Sequence, residues 1–147
     1  MNIWDFQTRL IRRLFVWSAL SVAFSALTFF SASPFLRGVA IQCFVWGIID
    51  AAIAFYGGRL SAKKRLKITG SDRGEKEAEE SRWLGHILWI NTGLDVLYVL
   101  GGIWLMQSWV AESPLWRGHG WGVVIQGGFL FFFDFFHAFT LRNLRIK

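Results

Sequence analysis

The sequence predicts an all-α integral membrane protein, a four-helix bundle made of two repeated helical hairpins with N- and C-termini cytoplasmic. Three observations lead there: four apolar runs of bilayer length, a one-sided distribution of lysine and arginine, and a block of sequence that occurs twice. The 147 residues read as a single membrane domain, 54% hydrophobic and 18% charged, which excludes a disordered chain. The lone cysteine, Cys43, excludes a disulfide framework or a cysteine-based zinc site.

A hydrocarbon core about 30 Å thick needs roughly 20 apolar residues of helix. Runs at 14–32, 38–58, 83–109 and 122–141 meet that need. The first carries no charge, and the others carry one aspartate each: Asp50, Asp95 and Asp134. Helices are the default because each backbone amide must find its partner inside its own segment. The dyad alternation of a membrane β-strand is absent. The first run is longer than the apolar core of a signal peptide and is read as a retained span.

Lysine and arginine set the orientation. Fourteen of the 16 fall on one side: Arg9, Arg12 and Arg13 before the first span, eight in the loop 59–82, and Arg142, Arg145 and Lys147 in the tail. Only Arg37 and Arg117 stand opposite. The reading is a multi-pass protein of the cell inner (cytoplasmic) membrane. The basic balance is then a topology signal and an attraction to anionic lipid heads, and implies no nucleic acid.

The loop 59–82 divides into a basic half, 61–67, and an acidic run, 75–81, separated by the turn signal Thr69-Gly70-Ser71. Asp72 with Glu75 three residues on resembles a capping box. The third helix is therefore expected to begin near residue 74 and to project from the bilayer, its acidic run a solvated face. Trp4, Trp17, Trp83, Trp109, Trp116 and Trp121 fall near interfaces and read as belt anchors, whereas Trp46, Trp89 and Trp104 read as packing residues.

The repeat is visible directly. Ser33-Pro34-Phe35-Leu36-Arg37-Gly38 recurs as Ser113-Pro114-Leu115-Trp116-Arg117-Gly118, and Gly38-Val39-Ala40-Ile41-Gln42 as Gly122-Val123-Val124-Ile125-Gln126. Eight residues after each glutamine comes an aspartate, Asp50 or Asp134, and four later an alanine, Ala54 or Ala138. The offset between blocks is a four-residue insertion, 119–122, expected in the second outer loop. Both copies run inward, so the hairpins would be related by an approximate two-fold axis along the membrane normal.

Counted from the flanking arginines, Asp50, Asn91 and Asp134 share one depth in the cytoplasmic half. Asp95 lies one turn further out, and Gln42 and Gln126 form an outer pair about 12 Å from their aspartates. Insertion tolerates this: a central aspartate costs about 2.5–3.5 kcal/mol, and the many Phe, Leu, Ile and Val of each span return about 0.3–0.6 each. The carboxyls must then face inward and find partners. No lysine or arginine lies in a span, so amides, serines, Tyr56 and Tyr98 are the available donors, and at least one carboxyl is expected to hold a proton at neutral pH. Gly47, Gly93, Gly127 and Gly128 would let helices approach closely near this layer.

Other chemistry is weaker. Asp134 and His137, i and i+3, could present metal ligands with Asp50 and Asp95, but a buried hydrogen-bonded histidine explains His137 more simply, and no metal is assigned. Carboxylic acids beside indoles could also act on a lipid substrate. No phosphate loop, dinucleotide fingerprint or serine elbow is present, so an enzyme is not favoured and no cofactor can be named. The aromatic run 129–139 reads as lipid-facing or packing surface.

The blocks Trp46-Gly47-Ile48-Ile49-Asp50-Ala51-Ala52-Ile53-Ala54, Trp89-Ile90-Asn91-Thr92-Gly93-Leu94-Asp95 and Val124-Ile125-Gln126-Gly127-Gly128-Phe129 resemble a small bacterial family of four-helix membrane proteins of unknown function, over most of residues 38–140. That resemblance implies the architecture and no activity. The leading expectation is binding or transport of a proton, small cation or cationic compound through Asp50, Asp95 and Asp134, with Asn91, Gln42, Gln126 and His137 as further ligands. The alternatives are a non-catalytic structural or accessory subunit of a membrane complex, and an intramembrane enzyme or binder acting on a lipid. The implied partners are the lipid bilayer and a homodimer mate or membrane-complex subunit.

Overall fold

The chain forms four long helices in a computed structural model that describes residues 2–31, 33–68 and 72–145. They are α1 (Ile3–Thr28), α2 (Pro34–Lys67), α3 (Arg73–Gln107) and α4 (Pro114–Arg145), with a 3-10 turn at Trp109–Glu112. No strand occurs among the described residues. All four helices are long and apolar enough to cross a membrane. The turn expected at Thr69–Ser71 and the tail cation Lys147 lie outside the described residues, as does the side chain of Arg145.

Each helix begins where local chemistry satisfies its first amides. The Asn2 side chain accepts from the Asp5 amide at 2.9 Å, and Asp5 complements the positive end of the α1 dipole. Ser33 caps α2 through the Leu36 amide at 3.4 Å, with Pro34 pre-set in the first turn. The capping box expected at Asp72 does not form. Asp72 sits at φ −87°, ψ 2° rather than in extended backbone, so its side chain makes no cap bond.

The ends differ most from expectation. At 1.5 Å rise per residue, the 34 residues of α2 and 35 of α3 exceed a hydrocarbon core by about 20 Å. The surplus projects at the end that carries the chain termini, the basic end. Gly57 and Gly58 do not stop α2, because the segment beyond them lacks proline and is rich in good helix formers. The expected insertion at 119–122 is not loop: α4 already starts at Pro114, so those four residues are about one extra helical turn.

The helices pair as hairpins, α1 on α2 and α3 on α4, and the two hairpins meet mainly along α2 and α4. At the end opposite the termini, a Cβ on Gly118 would collide with the Phe35 carbonyl and lie 3.2 Å from the Gly38 Cα; one on Gly38 would collide with the Leu115 carbonyl. Only glycine permits that backbone approach. Gly38 and Gly118 are the matched glycines of the first repeated block.

At the basic end a polar network ties α1, α2 and α3. Trp4 Nε1 donates to Glu77 Oε1 at 3.0 Å, Gln7 Nε2 to Glu80 Oε1 at 2.9 Å, Ser61 Oγ to Gln7 Oε1 at 2.5 Å, and Lys64 Nζ pairs with Glu80 Oε2 at 2.7 Å. Arg73 holds Glu77 at 2.9 Å, and chiefly that bond keeps the Glu77 carboxyl below its usual range. The acidic run is thus not simply a solvated face: Glu77 and Glu80 turn inward. Beneath the network Ile3, Trp4, Phe6, Leu84, Leu88, Ala138 and Leu141 form one apolar cluster, and Leu14, Ala54, Leu130 and Phe133 a second.

The exterior is apolar, with Leu20, Leu27, Phe30, Ile53, Leu97, Phe132 and Phe136 all exposed. The tryptophan expectations divide. Trp83, Trp116 and Trp121 are exposed as belt anchors would be, but Trp4 is buried and Trp17 stacks on Phe129 at 3.6 Å. Trp89 and Trp104, expected to pack, are exposed, while Trp46 packs edge-on to Tyr98 at 4.9 Å.

Candidate functional site

Three helices each contribute one acid to the interior. Asp50 on α2 is 2% exposed, Asp95 on α3 4% and Asp134 on α4 7%, so none faces outward. Their positions follow from helical phase: Asp50 shares its face with Gly47, Cys43 and Ala54, and Asp95 with Leu88, Thr92 and Gly102, all buried. The close α2–α4 crossing brings Asp50 and Asp134 toward each other, and the α3–α4 hairpin adds Asp95.

The carboxyl groups lie within electrostatic reach of one another. Asp50, Asp95 and Asp134 are close enough to repel one another when charged. The Asn91 side chain lies beside the Asp134 carboxyl, within hydrogen-bonding range. Asp50 Oδ2 and Asp95 Oδ2 are buried and have no hydrogen-bond partner. Two uncompensated acceptor oxygens on separate helices are costly in an apolar interior, where a lone charge is normally neutralised or paired.

The remaining sequence candidates are engaged elsewhere. Gln126, 1% exposed, accepts from Trp17 Nε1 at 3.0 Å and donates from Nε2 to Ser21 Oγ at 3.2 Å, with Cys43 also in hydrogen-bond contact. It fastens α4 to α1 and α2 and offers the carboxyls nothing. Gln42 bonds the His119 ring at 3.0 Å, further toward the end opposite the termini. His137 is bonded to the Phe133 carbonyl at 2.6 Å and to Arg13 at 3.2 Å, so it joins the basic rim rather than the carboxyls. Tyr56 and Tyr98, expected as donors, are both exposed. Of the glycines expected near the layer, Gly47 meets Val22 and Ser18, and Gly127 meets Tyr98 and Val99, whereas Gly93 and Gly128 border open space.

Sequence reasoning named serines as donors but did not assemble the polar face of α1. Ser18 Oγ donates to the Gly47 carbonyl at 2.6 Å, and Ser18, Ser21 and Ser25 are all buried. Their spacing, i, i+3 and i+7, marks one helix face and was the available signal. It also missed Gln7 and Glu80, whose partners are distant in sequence.

Among the described residues, no group of three His, Cys, Asp or Glu side chains is arranged to hold a metal ion. Grooves indent the surface at the basic end against α1 and beside Lys64 and Glu80, and apolar grooves lie toward the opposite end. Asp50, Asp95 and Asp134 do not line these grooves.

A family model described as a family of unknown function, DUF6992, matches residues 13–135, and the chain belongs to that family. The match takes in most of α1 as well as the blocks that carry the sequence resemblance. No curated protein and no solved structure matches the chain.

Proposed function

We propose that this member of DUF6992 is a multi-pass protein of the cell inner membrane whose buried Asp50, Asp95 and Asp134 bind a proton and pass it across the bilayer. Both termini lie in the cytoplasm, on the side holding most of the lysine and arginine. The two hairpins act as repeats about an axis between α2 and α4, an arrangement supported by the contact of the matched glycines Gly38 and Gly118. Four spans are few for alternating access, so transport requires a homodimer.

One observation carries the reading: the buried Asp50 Oδ2 and Asp95 Oδ2 lack partners while their carboxyls lie within reach of each other and of Asp134. Ionisable groups in a membrane interior that are neither paired nor exposed are functional by default, because their insertion cost is otherwise uncompensated. All three acids are buried, which favours a proton over a bulky cationic compound. Asn91 serves as a neutral ligand beside Asp134.

The same burial supports a second reading, a non-catalytic structural subunit in which the acids fix helix register. Purified protein in liposomes carrying an internal pH dye, driven by an imposed membrane potential, separates the two. Proton entry should exceed that of protein-free liposomes and be lost in Asp50→Asn and Asp134→Asn variants that still melt like the parent. Variants that conduct at the parental rate would overturn the cluster assignment. A parent protein no more permeable to protons than bare lipid leaves the structural reading.

A further inference from the structure

The basic end carries a second feature that the carboxyl cluster does not use. A groove of about 300 Å³ lies between α1 and α4, lined by Phe6, Arg9, Arg13, Phe136, His137 and Thr140. Arg9 and Arg13 stand one turn apart on the same face of α1, and neither is ion-paired among the described residues. Asp5, one turn before Arg9, is exposed and does not line the groove. The groove therefore keeps two full positive charges.

His137 holds one of them without cancelling it. Arg13 Nη1 meets His137 Nε2 at 3.2 Å, and a guanidinium can only donate, so Nε2 is the acceptor. The ring proton then sits on Nδ1 and is donated to the Phe133 carbonyl at 2.6 Å. A neutral imidazole thus fixes a guanidinium at the mouth of the groove. Phe6 and Phe136 supply apolar walls, and the exposed faces of Phe132 and Phe136 continue along α4 away from the basic end.

We infer that this groove is a binding site for an anionic phospholipid, its phosphate held by Arg9 and Arg13 and its acyl chain laid along Phe136 and Phe132. Paired guanidiniums suit phosphate oxygens through charge-assisted hydrogen bonds. A basic pocket between helices at the cytoplasmic rim is where anionic head groups reside. The inference rests on the chain spanning a membrane and is independent of the aspartates.

The test measures lipid retention by native mass spectrometry of the whole protein in neutral detergent, titrated with phosphatidylglycerol, with phosphatidylcholine, or with inorganic phosphate. One phosphatidylglycerol should bind in preference to phosphatidylcholine. The double variant Arg9→Gln/Arg13→Gln should weaken it by about thirtyfold, and Arg9→Gln alone by about fivefold. Arg9 makes no bond that the fold needs, so the single variant should melt like the parent. The control Arg59→Gln/Lys63→Gln removes two exposed charges at the same end and should leave binding within about twofold. Equal loss in the control would make the effect diffuse charge and overturn the site. Equal retention of phosphatidylcholine would overturn it too, and saturation by inorganic phosphate alone would replace the lipid with a soluble anion.

Discussion

Asp50 and Gln126 are almost equally buried, at 2% and 1% exposure, yet they play opposite parts. Gln126 has its oxygen and its nitrogen both bonded to α1, whereas Asp50 keeps one carboxyl oxygen without a partner. Gln126→Leu strands the Trp17 N–H and breaks the bond to Ser21, and should cost about 1 kcal/mol, the scale measured for interhelical bonds within membranes. Asp50→Asn keeps the shape and removes only the ionisable group, so thermal unfolding in detergent should show equal or higher stability, the usual mark of a residue kept for activity. A clear drop in melting temperature for Asp50→Asn would make the acid a structural clamp. Sequence singled out both residues but could not distinguish them. Spacing gives depth along a helix, while the partners of Gln126 come from α1, where Trp17 looked like an interface anchor and the serines were donors without an assigned acceptor.

The elements were legible where solvent dictates them and obscure where tertiary contact does. All four helices could be read from hydropathy, and α3 begins at Arg73 against an expected start near 74. The far ends could not be read in that way, because hydropathy marks where a chain leaves apolar surroundings, not where its hydrogen-bonded ladder stops. Hence α2 runs to Lys67, past the glycines that looked like a terminus, and the four residues read as a loop insertion add a turn to α4. That turn puts Gly118 and Gly122 on the face of α4 that meets α2, Gly118 against the Phe35 carbonyl and Gly122 against the Gln42 side chain. Gly118→Ala must push rigid backbone apart and should destabilise by about 1–3 kcal/mol, as overpacking does. Gly101 on α3 has nothing within 4 Å of its would-be Cβ, so Gly101→Ala should be neutral or gain up to about 1 kcal/mol of helix propensity. Melting curves of the two variants side by side check the crossing, and equal effects would mean that α2 and α4 are not in backbone contact there.

For the molecule as a whole, an apolar exterior and a polar interior layer invert the arrangement expected in water. Large hydrophobic side chains cover all four helices, while Asp50, Asp95, Gln126 and Asp134 are enclosed. Such a surface suits a hydrocarbon solvent, in which lysine and arginine would orient the bundle. The basic end carries the α2 and α3 extensions, and the opposite end has only Arg37 and Arg117 with the short turns. Cytoplasmic termini, as proposed, would put Gly74 inside the cell and Glu112 outside. Both positions are exposed, so introduced thiols there should react freely with any reagent that reaches them. In a Cys43→Ala background, a membrane-impermeant maleimide should label Glu112→Cys in intact cells and Gly74→Cys only once the membrane is opened. The reverse pattern would turn the bundle over and place the Arg9 and Arg13 groove against the outer leaflet. Equal labelling of both sites in intact cells would mean that the chain inserts in both directions, in which case the charge asymmetry fails to fix its orientation.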